Sequence, residues 1–164
     1  MRIAFLGTGV MGTSMAGHLM DAGHELTIHT RTRARAEGLL ARGAHWADTP
    51  AEAADTRDVA ISIVGLPSDV ESVYLGLEGV LAASKPPALL IDMTTSTPSL
   101  ARRLHQVASA RGLASIDAPV SGGDVGAKNG TLSIMVGGEP ESIAAAMPLF
   151  ESMGRSIVHQ GGPG

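Results

Sequence analysis

Three glycines near the start of the chain, Gly7, Gly9 and Gly12, stand at the spacing G-x-G-x-x-G within Gly7-Thr8-Gly9-Val10-Met11-Gly12. Glycines so placed can hold a diphosphate, because bare main-chain amides converge on an anion just where a helix begins. The chain has 21 glycines among 164 residues, so the spacing alone also fits a plain strand-to-helix turn. The flanking residues favour the cradle. Arg2 to Leu6 is a short apolar run, as in a buried strand, and Met11, Met15, Leu19 and Met20 recur at helical steps between Val10 and Asp21. A strand, a glycine turn and a helix in that order give the motif its mechanical sense. Gly7 would allow the tight turn, Gly9 the approach of a pyrophosphate, and Gly12 close packing of helix on strand. The helix start adds free N–H groups and a partial positive charge.

The end of the next strand carries a second signal. In dinucleotide sites an Asp or Glu roughly 20 residues beyond the glycines takes the ribose hydroxyls, and an Arg nearby accommodates a 2′-phosphate. Here the acid is absent, and Thr30, Arg31, Thr32, Arg33 and Arg35 follow the strand Glu25 to His29. Arg31 can pair with a phosphate and stack on adenine, with Thr30 and Thr32 as donors to its oxygens. This predicts NADP(H) in preference to NAD(H). The alternative for Arg33 and Arg35 is a solvated helix face.

The elements that must position these residues alternate along the chain. Helices are predicted over Thr32 to Ala41, Pro50 to Asp55, Ser68 to Tyr74, Ser99 to Arg111 and Pro140 to Phe150. Thr49 and Thr97 stand as caps, each before a proline at the first turn. Strands are predicted over Val59 to Val64, Ala88 to Ile91, Leu113 to Ile116, Leu132 to Val136 and Ser156 to Val158. Such alternation makes βαβ units, and the continuously apolar strands suit a sheet covered on both faces. The predicted fold is therefore α/β, a doubly wound, mostly parallel sheet of Rossmann type with helices on both faces, forming one domain over residues 1–164.

Composition narrows the function classes. Hydrophobic residues make up 44% of the chain and aromatics only 2%, so the core must be built from Val, Ile, Leu, Met and Ala. The absence of cysteine excludes disulfides and thiolate metal sites. A formal charge of −4 argues against nucleic acid as partner. No apolar run approaches the ~18 residues of a membrane span, and Arg2 with Ile3 to Leu6 is too short for a secretory signal. The expectation is a cytoplasmic protein.

Longer stretches carry a family resemblance over essentially all 164 residues. GTGVMGTSMAGHL resembles the cofactor motif of the β-hydroxyacid dehydrogenases, the family of 3-hydroxyisobutyrate dehydrogenase and tartronate semialdehyde reductase. DAPVSGGDVGAKNGTLSIMVGG is similar to that family's substrate-binding motif. IDMTTSTP is similar to its D-x-S-T-x-x-P segment with Thr94 in place of Ser, and Thr30-Arg31-Thr32 to its Asn-Arg-Thr. The resemblance implies reversible hydride transfer between a nicotinamide and the alcohol carbon of a short 3-hydroxy acid or its semialdehyde. It places Ser121, Gly122 and Gly123 on the substrate carboxylate, Leu66 and Pro67 on the adenosine side of the cofactor, and Thr95 near the nicotinamide. A small anion nest of glycine amides at 121–123 is sound chemistry in its own right. The glycine turn, Thr30 to Thr32, Leu66-Pro67, Thr94-Thr95 and Ser121 to Gly123 all follow predicted strands, at the sheet edge where ligands bind.

The same resemblance identifies a gap. Hydride removal from an alcohol needs a base for the hydroxyl proton. The family uses a Lys, backed by an Asn, in G-x-G-x-x-x-K-x-x-N. Gly161-Gly162-Pro163-Gly164 looks like its beginning, so the catalytic Lys, the helical second domain and most of the homo-oligomer interface are expected beyond this chain. Lys128, alone in the substrate loop, reads as a solvated lysine, and the six histidines lack metal-ligand spacing. Competing readings are an imine reductase or 6-phosphogluconate dehydrogenase relative, a non-catalytic dinucleotide-binding or redox-sensing module, and a Rossmann domain for another adenosine ligand.

Overall fold

A computed structural model describes residues 1–164. The apolar run β1 (Arg2–Leu6) leads into α1 (Val10–Asp21), β2 (Glu25–His29), α2 (Glu37–Leu40), β3 (His45–Trp46) and α3 (Pro50–Ala54). The chain then returns through β4 (Val59–Ser62), α4 (Pro67–Leu75), β5 (Leu89–Asp92), α5 (Pro98–Ser109) and β6 (Ala114–Asp117). It ends with β7 (Val120–Ser121), α6 (Gly123–Asn129), β8 (Leu132–Gly137), α7 (Pro140–Met153) and β9 (Gly154–Gly161).

The strands form one sheet in the order β3-β2-β1-β4-β5-β6-β8-β7, with β9 also paired to β8. All pairs from β3 to β6 are parallel, whereas β8 runs antiparallel to β6 and β7. The predicted doubly wound α/β architecture is thus present, with an antiparallel turn at one side. Along β1 the side chains alternate between faces. Ile3 and Phe5 join a core with Met15, Leu19, Leu149 and Phe150, under α1 and α7. Ala4 and Leu6 join a second core with Val70, Tyr74, Leu104 and Ala108, under α4 and α5. No helix is long and apolar enough to cross a membrane.

The differences from expectation are local. The helix expected over Thr32 to Ala41 is a 3-10 turn, Arg33–Ala36, followed by the short α2. Only Ala36 and Leu39 of this stretch are buried, too little apolar surface to hold a longer helix. The two-residue strands β3 and β7 and the glycine-rich α6 carry no periodicity that a sequence could display. Strand β9 is longer than expected because β8 templates it from Leu132↔Gly154 to Gly137↔Gly161. Thr49 and Thr97 do cap their helices, accepting from the amides of Glu52 and Leu100.

A buried polar bracket locks the loops after β4 and β5 together. Asp92 Oδ1 accepts from the Ser62 hydroxyl at 2.8 Å and from the Thr94 amide at 3.1 Å. Thr94 Oγ1 accepts from the Val64 amide at 3.0 Å, and the buried Tyr74 hydroxyl donates to the Ile91 carbonyl at 2.8 Å. Burial raises the Asp92 carboxyl above the usual range, against the lowering effect of its hydrogen bonds with Thr94 and Ser62. A folded carboxyl that keeps its proton to higher pH than the unfolded one contributes most to stability in acid and loses that contribution as pH rises. Asp92→Asn retains the acceptor oxygen and removes the titration. Relative to the parent, the variant is expected to gain stability in urea unfolding as pH rises above the ordinary carboxylate range, and parallel pH curves would refute the assignment.

Candidate functional site

The strand order reverses between β1 and β4, so the loops leaving their C-terminal ends part and open a crevice. Gly7 makes the turn out of β1 with φ +100°, in the left-handed region. A Cβ on Gly7 would collide with the Ile63 carbonyl of the loop after β4, and one on Gly12 with the Gly7 carbonyl. Gly9 is different, for a Cβ there would meet nothing within 4 Å. The fold itself therefore demands glycine at positions 7 and 12, while the space over Gly9 faces outward.

Helix α1 starts at Gly9 without a side-chain cap and without an acidic residue in its first turn. The Thr13 amide is the first to bond back, to the Gly9 carbonyl. The amides of Val10, Met11 and Gly12 are the unpaired donors of that turn. They open onto a cleft of about 820 Å³, a size that suits a small organic ligand.

Gly7, Gly9, Val10, Met11 and Gly12 form the floor of this cleft, and Thr30, Arg31, Thr32 and Arg35 form one wall. The facing wall is Gly65, Asp69, Val73, Leu77 and Glu78, with Leu77 fully exposed. Sequence reasoning missed this second wall. Beside Leu66 and Pro67, its signal was the polar start of the helix at Ser68 and Asp69, where Asp69 Oδ2 accepts from the Leu66 amide at 3.1 Å.

The three arginines after β2 have separate fates. Arg31 donates across the cleft to Asp69 Oδ1 at 3.2 Å while remaining 82% exposed. Arg33 turns away and lies over the Trp46 ring, 5.0 Å from its centroid. Trp46 in turn donates to Asp48 at 2.7 Å, which makes it a packing anchor outside the cleft. Arg35 faces the cleft beside Arg31.

The remaining predicted residues stand around this site rather than in it. Thr8 is buried behind the turn, with its hydroxyl unpartnered and its amide 3.5 Å from Thr30 Oγ1. Leu66, 60% exposed, and Pro67 flank the α4 start just outside the cleft walls. Thr95 is exposed in the loop after β5, next to the Asp92–Thr94 bracket.

Ser121 ends β7, and Gly122 and Gly123 follow with φ +138° and +61°. Two successive glycines with positive φ turn the chain sharply into α6, as L-residues resist doing. The first turn of α6 carries Asp124, unlike that of α1. The C-terminal end of α6 is held to α1, where His18 Nε2 donates to the Ala127 and Lys128 carbonyls at 2.9 and 3.1 Å. Lys128 is exposed. The glycine turn and the Ser121 loop are thus braced against a common helix, but the cleft does not extend to the Ser121 loop.

The family described as the NAD binding domain of 6-phosphogluconate dehydrogenase matches residues 2–162. An uncharacterized oxidoreductase of Bacillus subtilis is 52% identical over 99% of this chain and 56% of its own length. An NAD-dependent L-serine dehydrogenase of Pseudomonas aeruginosa is 44% identical over 99% of this chain and 55% of its own. A solved structure of Mycobacterium tuberculosis 3-hydroxyisobutyrate dehydrogenase with L-serine superposes with a TM-score of 0.91 at 36% identity, over 99% of this chain and 55% of that one. The chain spans little more than half the length of these relatives. Through the glycine turn, the switch-point cleft and a match along nearly its whole length, this chain belongs to the family of NAD-binding domains that 6-phosphogluconate dehydrogenase shares with the β-hydroxyacid dehydrogenases.

Proposed function

We infer that this chain is the dinucleotide-binding part of a dehydrogenase acting on a short 3-hydroxy acid or its semialdehyde, with NADP(H) favoured over NAD(H). The observation that carries the reading is Gly9. A Cβ there would meet nothing within 4 Å, and Gly9 lines the cleft, so its bare backbone leaves the free amides of the helix start open to a ligand. The free amides of Val10, Met11 and Gly12 suit a diphosphate. Arg31 and Arg35 suit a 2′-phosphate, and Thr30 and Thr32 are hydroxyl donors on the same wall.

When bound, the nicotinamide supplies or accepts the hydride. In this reading the chain's own residues bind and orient. Ser121, Gly122 and Gly123 take the substrate carboxylate through main-chain amides and the Ser121 hydroxyl, while Leu66, Pro67 and Thr95 line the approach of the cofactor. Relatives named for 3-hydroxyisobutyrate and L-serine, both short acids with a 3-hydroxyl, support this substrate class. Lys128 is exposed and is not assigned as the proton acceptor. The likeness of Gly161 to Gly164 to the start of the family's lysine motif supports a Lys outside residues 1–164 as the base, together with the family's helical domain and homo-oligomer interface.

The 164-residue chain is expected to turn over 3-hydroxyisobutyrate or tartronate semialdehyde slower than full-length relatives by a factor on the order of 10²–10⁴. Comparable rates in a coupled NADPH assay would overturn the placement of the base. Gly9→Ala is expected to weaken dinucleotide binding at least about tenfold with an unchanged melting temperature, whereas Gly7→Ala and Gly12→Ala lower the melting temperature itself. Fluorescence titration of the parent is expected to give tighter binding for NADPH than NADH, a difference that Arg31→Ala removes. Tighter NADH binding by the parent would reverse the cofactor assignment.

A further inference from the structure

The cleft is less cationic than its arginines suggest. Arg31 and Arg35 line one wall, and Asp69 and Glu78 line the other. Asp69 is the anchored member of the Arg31 pair. Its Oδ2 accepts from the Leu66 amide at 3.1 Å within the first turn of α4, and its side chain is only 21% exposed. Its Oδ1 faces the Arg31 guanidinium at 3.2 Å. Arg31, on a long and exposed side chain, is the member free to move.

We propose that Asp69 is a specificity-determining residue, a fixed carboxylate that competes with a 2′-phosphate for the Arg31 guanidinium and so lowers the preference for NADP(H) over NAD(H). This rests on the dinucleotide reading above. A 2′-phosphate that reaches Arg31 must displace or share the Asp69 carboxylate, and two anions then lie within reach of one cation. A free ribose hydroxyl meets no such opposition and can donate to a carboxylate. Asp69 therefore opposes the 2′-phosphorylated cofactor and does not oppose the other. The pair is exposed to solvent on the Arg31 side, so its worth is that of a surface ion pair, a factor of a few in affinity.

The test is titration calorimetry with NADPH, NADH, 2′,5′-ADP and 5′-ADP against the parent, Asp69→Asn, Asp69→Ser, Arg31→Ala and the Asp69→Asn/Arg31→Ala double variant. Asn retains an oxygen to accept from the Leu66 amide, and Ser is a second uncharged residue that can cap the turn. Both single Asp69 variants are expected to bind NADPH and 2′,5′-ADP roughly 2- to 5-fold more tightly, with 5′-ADP within about twofold of the parent and NADH unchanged or weaker. The gain is expected to shrink as salt is raised, and to vanish in the Arg31→Ala background.

Unchanged or weaker binding of 2′,5′-ADP by both Asp69 variants, with 5′-ADP binding intact, overturns the inference and leaves the dinucleotide reading standing. A gain that persists without Arg31 also overturns it. If the folded parent binds none of the four nucleotides, the dinucleotide reading fails and this inference falls with it.

Discussion

The site depends on one close approach of backbone to backbone. The turn at Gly7 lies directly against the Ile63 carbonyl, and α1 leaves so close above it that Gly12 abuts the Gly7 carbonyl. No side chain fits at either point. This contact sets how far the first helix can stand from the sheet, and hence where its unpaired amides point. It also joins the loop after β1 to the loop after β4, the two halves that part at the strand-order reversal. The bracket of Ser62, Asp92 and Thr94 carries the constraint one strand further, since Thr94 holds the Val64 amide. The loops after β1, β4 and β5 are thus tied together where a ligand would lie, and the cost is a carboxyl group kept in a buried place.

Electrostatics within the cleft are balanced rather than simply attractive. The floor offers amides and a helix start without acidic residues. The walls set two guanidinium groups against two carboxylates. The second glycine turn, at Gly122 and Gly123, differs in kind. Its backbone is bent by two successive positive φ values, and Asp124 stands in the turn that follows. An anion bound there would rely on local amides more than on a helix dipole, because α6 is short and its own first turn is acidic.

Much of this was legible from residues alone. The apolar run before Gly7 and the three- and four-residue steps after Val10 are local patterns, and they placed β1, the turn and α1 with the boundaries observed. The threonine-proline pairs at 49–50 and 97–98 marked two helix starts because capping is a contact among near neighbours. The motif around DAPVSGG pointed to the correct family, yet β7 and α6 inside it escaped notice. A two-residue strand has no period, and a glycine-rich helix has no apolar stripe.

What the sequence determined by itself, then, was the alternation of strand and helix, the glycine turn and the family, since these follow from neighbouring residues and from the steric smallness of glycine. Tertiary structure alone decided what each arginine after β2 meets. Arg31, Arg33 and Arg35 are alike in sequence, but one meets Asp69, one covers Trp46 and one is left at the cleft wall. Long charged side chains take their positions from partners on other elements, and Arg31 and Asp69 stand 38 positions apart in the chain. No local pattern encodes that meeting; it exists only once β2 and α4 are brought to the same edge of the sheet.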